Sequence, residues 1–257
     1  VHAQENSPFS RYGLGEYYTN QHIISRSLGG ITAAYADGLN NNVGQSINFN
    51  NPATYGSLYM VSFDLGLTID SRSLRSASPV GKFTSNNFYP SYLAVGVPLK
   101  RAKGLGLAFG LKPVSRINYS INNFEKVAGD SLQTLYEGSG GINQAFVGIG
   151  KKWKTFSIGF NTGYNFGRKE ISTRKVFLND TVSYYQSNST TSTNFGGVFL
   201  NGGLQYEISL QKKTNTAAKT SENYLLRFGL TGALQQNLSA SQNIDRQTFT
   251  YGTNGDI

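Results

Sequence analysis

"VSFDLGLTID", Val61 to Asp70, decides the fold. Val61, Phe63, Leu65, Leu67 and Ile69 are apolar, and Ser62, Asp64, Gly66, Thr68 and Asp70 between them are polar or tiny. Successive side chains of a strand point to opposite faces, whereas a helix brings apolar residues round every three or four positions. The stretch therefore reads as a strand with one apolar and one polar face.

The same period recurs down the chain. It places apolar residues at Leu93, Val95, Val97 and Leu99, at Leu105, Leu107, Phe109 and Leu111, and at Ala145, Val147 and Ile149. It continues at Phe156, Ile158, Phe160, Tyr164 and Phe166, at Val198, Leu200, Leu204, Tyr206 and Ile208, and at Leu226, Phe228, Leu230 and Leu234. In a soluble sandwich the second phase faces water and carries Lys, Glu and Thr. Here it is mostly Gly, Ala, Ser and Asn, the filling of an enclosed space. The strand charges Asp64, Lys112, Arg116, Glu207 and Arg227 all fall on that phase. A Lys or Arg facing lipid at mid-bilayer costs about 2–4 kcal/mol, so a lipid-facing surface excludes it. The fold read from this pattern is all-β, a transmembrane antiparallel β-barrel whose lumen-facing charges are those five residues.

Composition agrees. Only 14% of the 257 residues are charged, against about 25% in an average soluble domain, while 13% are aromatic and glycine reaches 30. Mean hydropathy is −0.33, and no run approaches the roughly 18 apolar residues of a spanning helix. With no cysteine there is no disulfide framework and no thiolate metal site. Val1-His2-Ala3 before Gln4 has the small-x-small form of a signal-peptidase site, which points to export.

The connections alternate in length. Lys100-Arg101-Ala102-Lys103 and Lys152-Trp153-Lys154 make short turns, and residues 70–87, 122–141 and 174–193 read as long polar loops, as in outer-membrane barrels. Residues 211–223 form a longer turn on the short side. Trp153 and Phe156 mark one rim, and Tyr119, Tyr164 and Phe166 the other. Seven strands do not make the even number of a bacterial barrel, so residues 59–257 are expected to be the first part of a longer one.

Residues 1–58 precede the wall and form an N-terminal segment rich in Gly, Asn and Ser, read as a hatch in the lumen. Pro52 restricts Asn51 to extended backbone and fixes a turn before the first strand, and Asn51 can bond nearby backbone. "SRSLGGITAAYADGLNNNVGQSINFNNPATY", Ser25–Tyr55, resembles the hatch of the FadL/TodX family of outer-membrane channels, PorV-like members from the Bacteroidota included. The likeness rests on a Leu-Gly pair with Gly29 and Gly30, on Ala-Asp-Gly, on an Asn-rich run, and on Asn51, Pro52 and Ala53. It implies fourteen strands, a plugged lumen, and passage of small hydrophobic molecules. It also implies a break in the third strand as a lateral opening, for which Pro113 is the residue.

The +9 charge and pI near 9.6 are spread over turns and loops, as at Lys100, Arg101 and Lys103, and suit anionic headgroups and lipopolysaccharide rather than nucleic acid. The histidines are His2 and His22, both outside the wall, and no metal cluster is visible, so neither an enzyme nor a cofactor is expected. Asp130-Ser131-Leu132 and Asp180-Thr181-Val182 match short O-glycosylation sites. The expected function is a channel for uptake of small hydrophobic molecules in the outer membrane. The alternative is a non-transporting subunit, with outer-membrane protein partners, of a larger secretion or assembly complex.

Overall fold

The structure, a computed structural model, describes residues 7–18, 21–36, 45–77, 80–127, 129–178, 184–215 and 220–250. Its strands are β1 (Glu16–Tyr17), β2 (Ser62–Ala77), β3 (Val80–Lys100), β4 (Leu105–Val127), β5 (Asp130–Trp153), β6 (Phe156–Leu178), β7 (Gln186–Asn215), β8 (Thr220–Ala233) and β9 (Ser239–Phe249). A five-residue helix, α1 (Ile23–Ser27), and 3-10 turns at Pro8–Arg11, Pro52–Ser57 and Arg101–Lys103 complete the set. Among the described residues no helix is long and apolar enough to cross a membrane.

The fold is all-β. Strands β2 to β8 run in sequence order as one antiparallel meander, each alternating run of the sequence lying in its own strand. Among the described residues β2 pairs only with β3, and β8 only with β7, so ring closure is not seen. Strand β9 continues the line of β8: β8 pairs the lower half of β7 up to Asn201–Ala233, and β9 the upper half from Gly196–Ser239.

The long polar loops expected over 70–87, 122–141 and 174–193 are mostly strand. Pairing runs to Ala77–Val80 and to Val127–Asp130 at two hairpin ends. In the third, Lys175 pairs with Ser187. The expected turn over 211–223 likewise continues as paired strand to Asn215–Thr220. These extensions carry Ser, Thr and Asn on both faces. They lack an apolar phase, yet ladders already nucleated by the apolar runs carry on through them. The short turns are tight: Gly104 adopts φ +60 after Arg101–Lys103, and Lys154 adopts φ +43 between β5 and β6.

The two faces are inverted relative to a soluble sheet. Phe63, Leu65, Phe109, Val147, Phe160, Leu204 and Leu230 are exposed, whereas Tyr92, Ala108, Asn161, Gln205 and Glu207 are buried on the other side. The buried side is covered by the chain's own N-terminal segment. Phe49, Tyr55, Ile47 and Leu58 of that segment cluster with Tyr92, Ala94, Ala108, Phe146 and Phe199 of the sheet. Tyr92 lies over Gly66, its register partner, and Tyr119 over Gly138, each ring filling the space a side chain would need.

One bulge resets the phase. Pro113 pairs with Asn143 and Ser115 with Ile142, which leaves Val114 as an extra residue in β4. Beyond it Ser115, Ile117 and Tyr119 are the buried positions. Tyr119 is therefore not part of an outer aromatic rim, as strict alternation implied, but packed on the covered face. Arg116 falls out of phase with those three residues.

Candidate functional site

The 3-10 turn Pro52–Ser57 sits on the sheet like a foot on a step. Asn51 caps it, its Oδ1 accepting from Ala53 N at 3.0 Å, and Pro52 occupies the first position, where no N–H is needed. Asn51 Nδ2 donates to Ala33 O at 2.6 Å and ties the turn to an earlier part of the segment. Beneath the turn the sheet shows glycine. A methyl group at Gly106 or Gly150 would strike the backbone of Tyr55 or Pro52, at Gly159 that of Pro52 and Ala53, and at Gly203 the Asn51 side chain. The small inner phase is thus a seat cut for a backbone.

Side chains of the wall then hold the segment's carbonyls and amides. Asn161 Nδ2 donates to Phe49 O at 3.1 Å, and Gln205 Nε2 to Ala33 O at 2.8 Å. Arg227 reaches Ala36 O at 3.0 Å and Ala34 O at 3.3 Å. Asp64 Oδ2 accepts from Ile47 N at 3.2 Å and stands 2.9 Å from His22 Nε2. His22 Nδ1 accepts from Ile24 N, so both ring nitrogens are engaged and the histidine starts α1. Gly29 and Gly30, at φ +75 and +87, close α1: Gly30 N bonds to Ser25 O and Gly29 N to Arg26 O, a turn that left-handed glycine permits.

The remaining predicted charges have distinct surroundings. Glu207 is buried between two cations, Lys152 Nζ at 2.6 Å and Arg227 at 2.7 Å. Lys112 lies 4.8 Å from the Phe49 ring centre and 6.0 Å from that of Phe146, over their negative faces. Arg116 bonds the Tyr18 hydroxyl at 3.3 Å and lies over the Tyr89 ring. Asn161, Gln205 and His22 were not singled out as binders in the sequence. The signal for the first two was an amide on the small-residue phase of an otherwise apolar strand.

Pro113 stands where the sheet divides. Strands β3 and β4 pair only from Lys100–Leu105 up to Leu93–Leu111. Above that, β3 follows β2 and β4 follows β5, with a proline, Pro90 or Pro113, at each departure. Proline has no ladder donor and is at home at such breaks. An opening of about 520 Å³ lies there, its lining including Tyr89, Pro90, Pro113, Arg116, Gly141 and Arg168. Residues 7–18, an arm of the N-terminal segment, run along the edge of β4 that β3 has left. Glu16 and Tyr17 pair with Arg116 and Ser115 as β1, Tyr18 N donates to Val114 O at 3.0 Å, and Ser7 N to Asn118 O at 2.9 Å. On the far side Glu16 meets Arg72 of β2 at 2.7 Å, and Tyr18 packs edge-on against Tyr89 of β3. The Arg72 guanidinium, bonded to the Glu16 carboxyl, holds it below the usual carboxylate range.

A family model described as BamG matches residues 1–255. The chain belongs to the BamG family. Neither the curated proteins nor the solved structures offer a match. The FadL/TodX resemblance of Ser25–Tyr55 is corrected by this finding. Its features have a local cause in this BamG chain: Gly29 and Gly30 close α1, and Asn51, Pro52 and Ala53 form a capped turn on a glycine seat. A backbone laid this close to a sheet needs small residues beneath it, so the motif has a packing reason here that does not depend on lineage. Of the two glycosylation motifs, Asp130-Ser131-Leu132 opens β5, and Asp180-Thr181-Val182 lies outside the described residues.

Proposed function

We propose that this BamG-family chain is the membrane wall and lumenal plug of an outer-membrane β-barrel that works as a non-transporting subunit of a protein-assembly complex. The observation that carries this reading is the family match over residues 1–255, whose name points to the barrel-assembly machinery. Two features of the chain support it. The exposed apolar face, with Trp153 and Phe156 stacked at one rim, suits lipid, since a water-facing patch of this extent is not stable in a soluble monomer. The inner face, where a transported molecule would have to pass, is taken up by Ile47, Phe49, Tyr55 and the wall amides that grip the segment. That packing favours a scaffold over a conduit. Neither a catalytic role nor a cofactor enters this reading.

The test is purification of the full-length protein from native outer membranes in mild detergent. Stoichiometric outer-membrane partners that survive size-exclusion chromatography are the expected result. A lone barrel would overturn the subunit reading.

A further inference from the structure

The division of the sheet leaves a strand edge that the molecule fills with its own N-terminal arm rather than with a neighbouring wall strand. β4 continues from Lys112 to Val127 with β5 on one side, while its other edge has no partner in β3. An exposed strand edge presents a row of unpaired N–H and C=O groups and is a template for another strand. The arm covers this edge with a two-residue ladder, the flanking bonds of Tyr18 and Ser7, and Ser10 Oγ, which accepts from Asn118 N at 3.1 Å. Of its large side chains Phe9, Tyr12 and Tyr17 are 77%, 72% and 68% exposed, while Tyr18 packs on Tyr89 and Arg11 lies over the Tyr136 ring. Laterally the arm is held by Glu16 on Arg72, both about two-thirds hidden, by Lys169 Nζ on Gly13 O at 2.7 Å, by Arg116 on the Tyr18 hydroxyl, and by the close approach of Gly15 to the backbone of Arg116 and to Ile117.

From this we propose that the edge of β4 above Pro113 is a strand-acceptor site, filled in the resting protein by the chain's own arm. It is open to exchange with an extended segment of a partner polypeptide that carries a carboxylate where the arm carries Glu16. The arm demonstrates the fit. It runs antiparallel, its backbone supplies N–H groups to Val114 O and Asn118 O, and its one acidic side chain meets Arg72, with Arg116 lining the same recess. Strand addition draws affinity from such main-chain bonds and specificity from a few side-chain positions. The site stands on this geometry; only the origin of the partner rests on the subunit reading above.

The probe is a labelled synthetic peptide with the arm's sequence, Ser7–Tyr18, added to the full-length protein in detergent. The full-length protein carries Tyr17→Cys and Ser115→Cys, register partners whose disulfide locks the arm in place. Peptide binding to the reduced protein, lost when the disulfide is closed, is the expected result. Gly15→Val in the protein's own arm, which cannot seat, raises apparent peptide affinity about tenfold by removing the internal competitor. Peptides with an N-methyl group at Tyr18, or with Glu16→Gln, bind more weakly. The proposal is overturned if no peptide enters either the reduced or the Gly15→Val protein, if binding is the same with the disulfide closed, or if the N-methylated peptide binds as well. The Gly15→Val measurement stands without the disulfide pair should that pair fail to assemble. A protein that purifies alone yet exchanges the peptide overturns the subunit reading and leaves the acceptor site intact. One that purifies with partners yet exchanges nothing does the reverse.

Discussion

His22 Nε2 stands 2.9 Å from Asp64 Oδ2, a contact that joins the N-terminal segment to the first wall strand across 42 positions of sequence. Asp64 also accepts from Ile47 N, so one carboxylate serves two separate parts of the segment. Replacing it by alanine leaves two donors in a buried setting without an acceptor, at roughly 1–3 kcal/mol each. The expected outcome of Asp64→Ala is faster maleimide labelling of a Ser25→Cys reporter, Ser25 being fully buried and the chain otherwise free of cysteine. Asp70→Ala, which removes a partner of Arg72 and nothing from the segment, serves as the control. Equal labelling in both would mean that the contact does not hold the segment.

The glycine seat gives a sharper contrast. Gly159 lies under Pro52 and Ala53, while Gly232, two strands away on the apolar face, has open space where a Cβ would go. Gly159→Ala should therefore dislodge the turn Pro52–Ser57 and lower the assembled fraction, whereas Gly232→Ala should be neutral or slightly favourable. Heat-modifiable gel mobility reads both. A neutral Gly159→Ala would show that the segment does not rest on the wall in the membrane.

The alternation was legible because apolar residues repeat every second position, and each of the seven runs lies in its own strand. The extensions were not, because "SINNFEKVAG" (Ser120–Gly129) offers no apolar phase to read and its strand state follows from a ladder begun elsewhere. Nor was the extra residue at Val114, which is silent in composition yet turns Tyr119 inward and takes Arg116 out of phase. The amide-to-carbonyl grips were invisible for a different reason. Their acceptors are backbone atoms of an irregular segment, and no side-chain pattern marks a carbonyl.

The lipid-facing assignment is tested at adjacent positions of one strand. Leu230 is exposed on the apolar face, and Thr231 points to the opposite side beyond the area the segment covers. Leu230→Arg should reduce stable insertion by about 2–4 kcal/mol, as for a cation at mid-bilayer, and Thr231→Arg should be tolerated. Ala108 and Asn161, on the same inner phase, do not serve as permissive controls, because the segment buries both. Similar insertion of Leu230→Arg and Thr231→Arg in urea titrations would remove the basis for a lipid face.

Glu207 holds two cations and its loss is not symmetrical with theirs. Glu207→Ala strands Lys152 and Arg227 in a largely buried site, a change of the kind that costs roughly 3–5 kcal/mol. Lys152→Ala leaves the Arg227 pair intact and should cost clearly less. Urea midpoints should fall in that order. The reverse order would mean that Arg227 is held by the Ala34 and Ala36 carbonyls alone.

The hold of Arg72 on Glu16 sets a pH dependence with a definite sign. The folded-state carboxyl lies below its ordinary value of 4.5, mainly through its bond to Arg72. A depressed carboxylate contributes stability that is fully present above the unfolded value and is lost as pH falls through the folded one. The arm should therefore stay docked at neutral pH and loosen only under acid, below the ordinary carboxylate range. A spin label at Tyr12→Cys, exposed and clear of the ladder, reports this as a gain in mobility on acidification. Glu16→Gln should give a more mobile spectrum that no longer changes with pH, because the neutral amide keeps at most a weaker hydrogen bond to the guanidinium and has no charge to lose. An arm that stays rigid through acid, or a Glu16→Gln protein as rigid as the parent at neutral pH, would assign the docking to the β1 ladder and not to the ion pair.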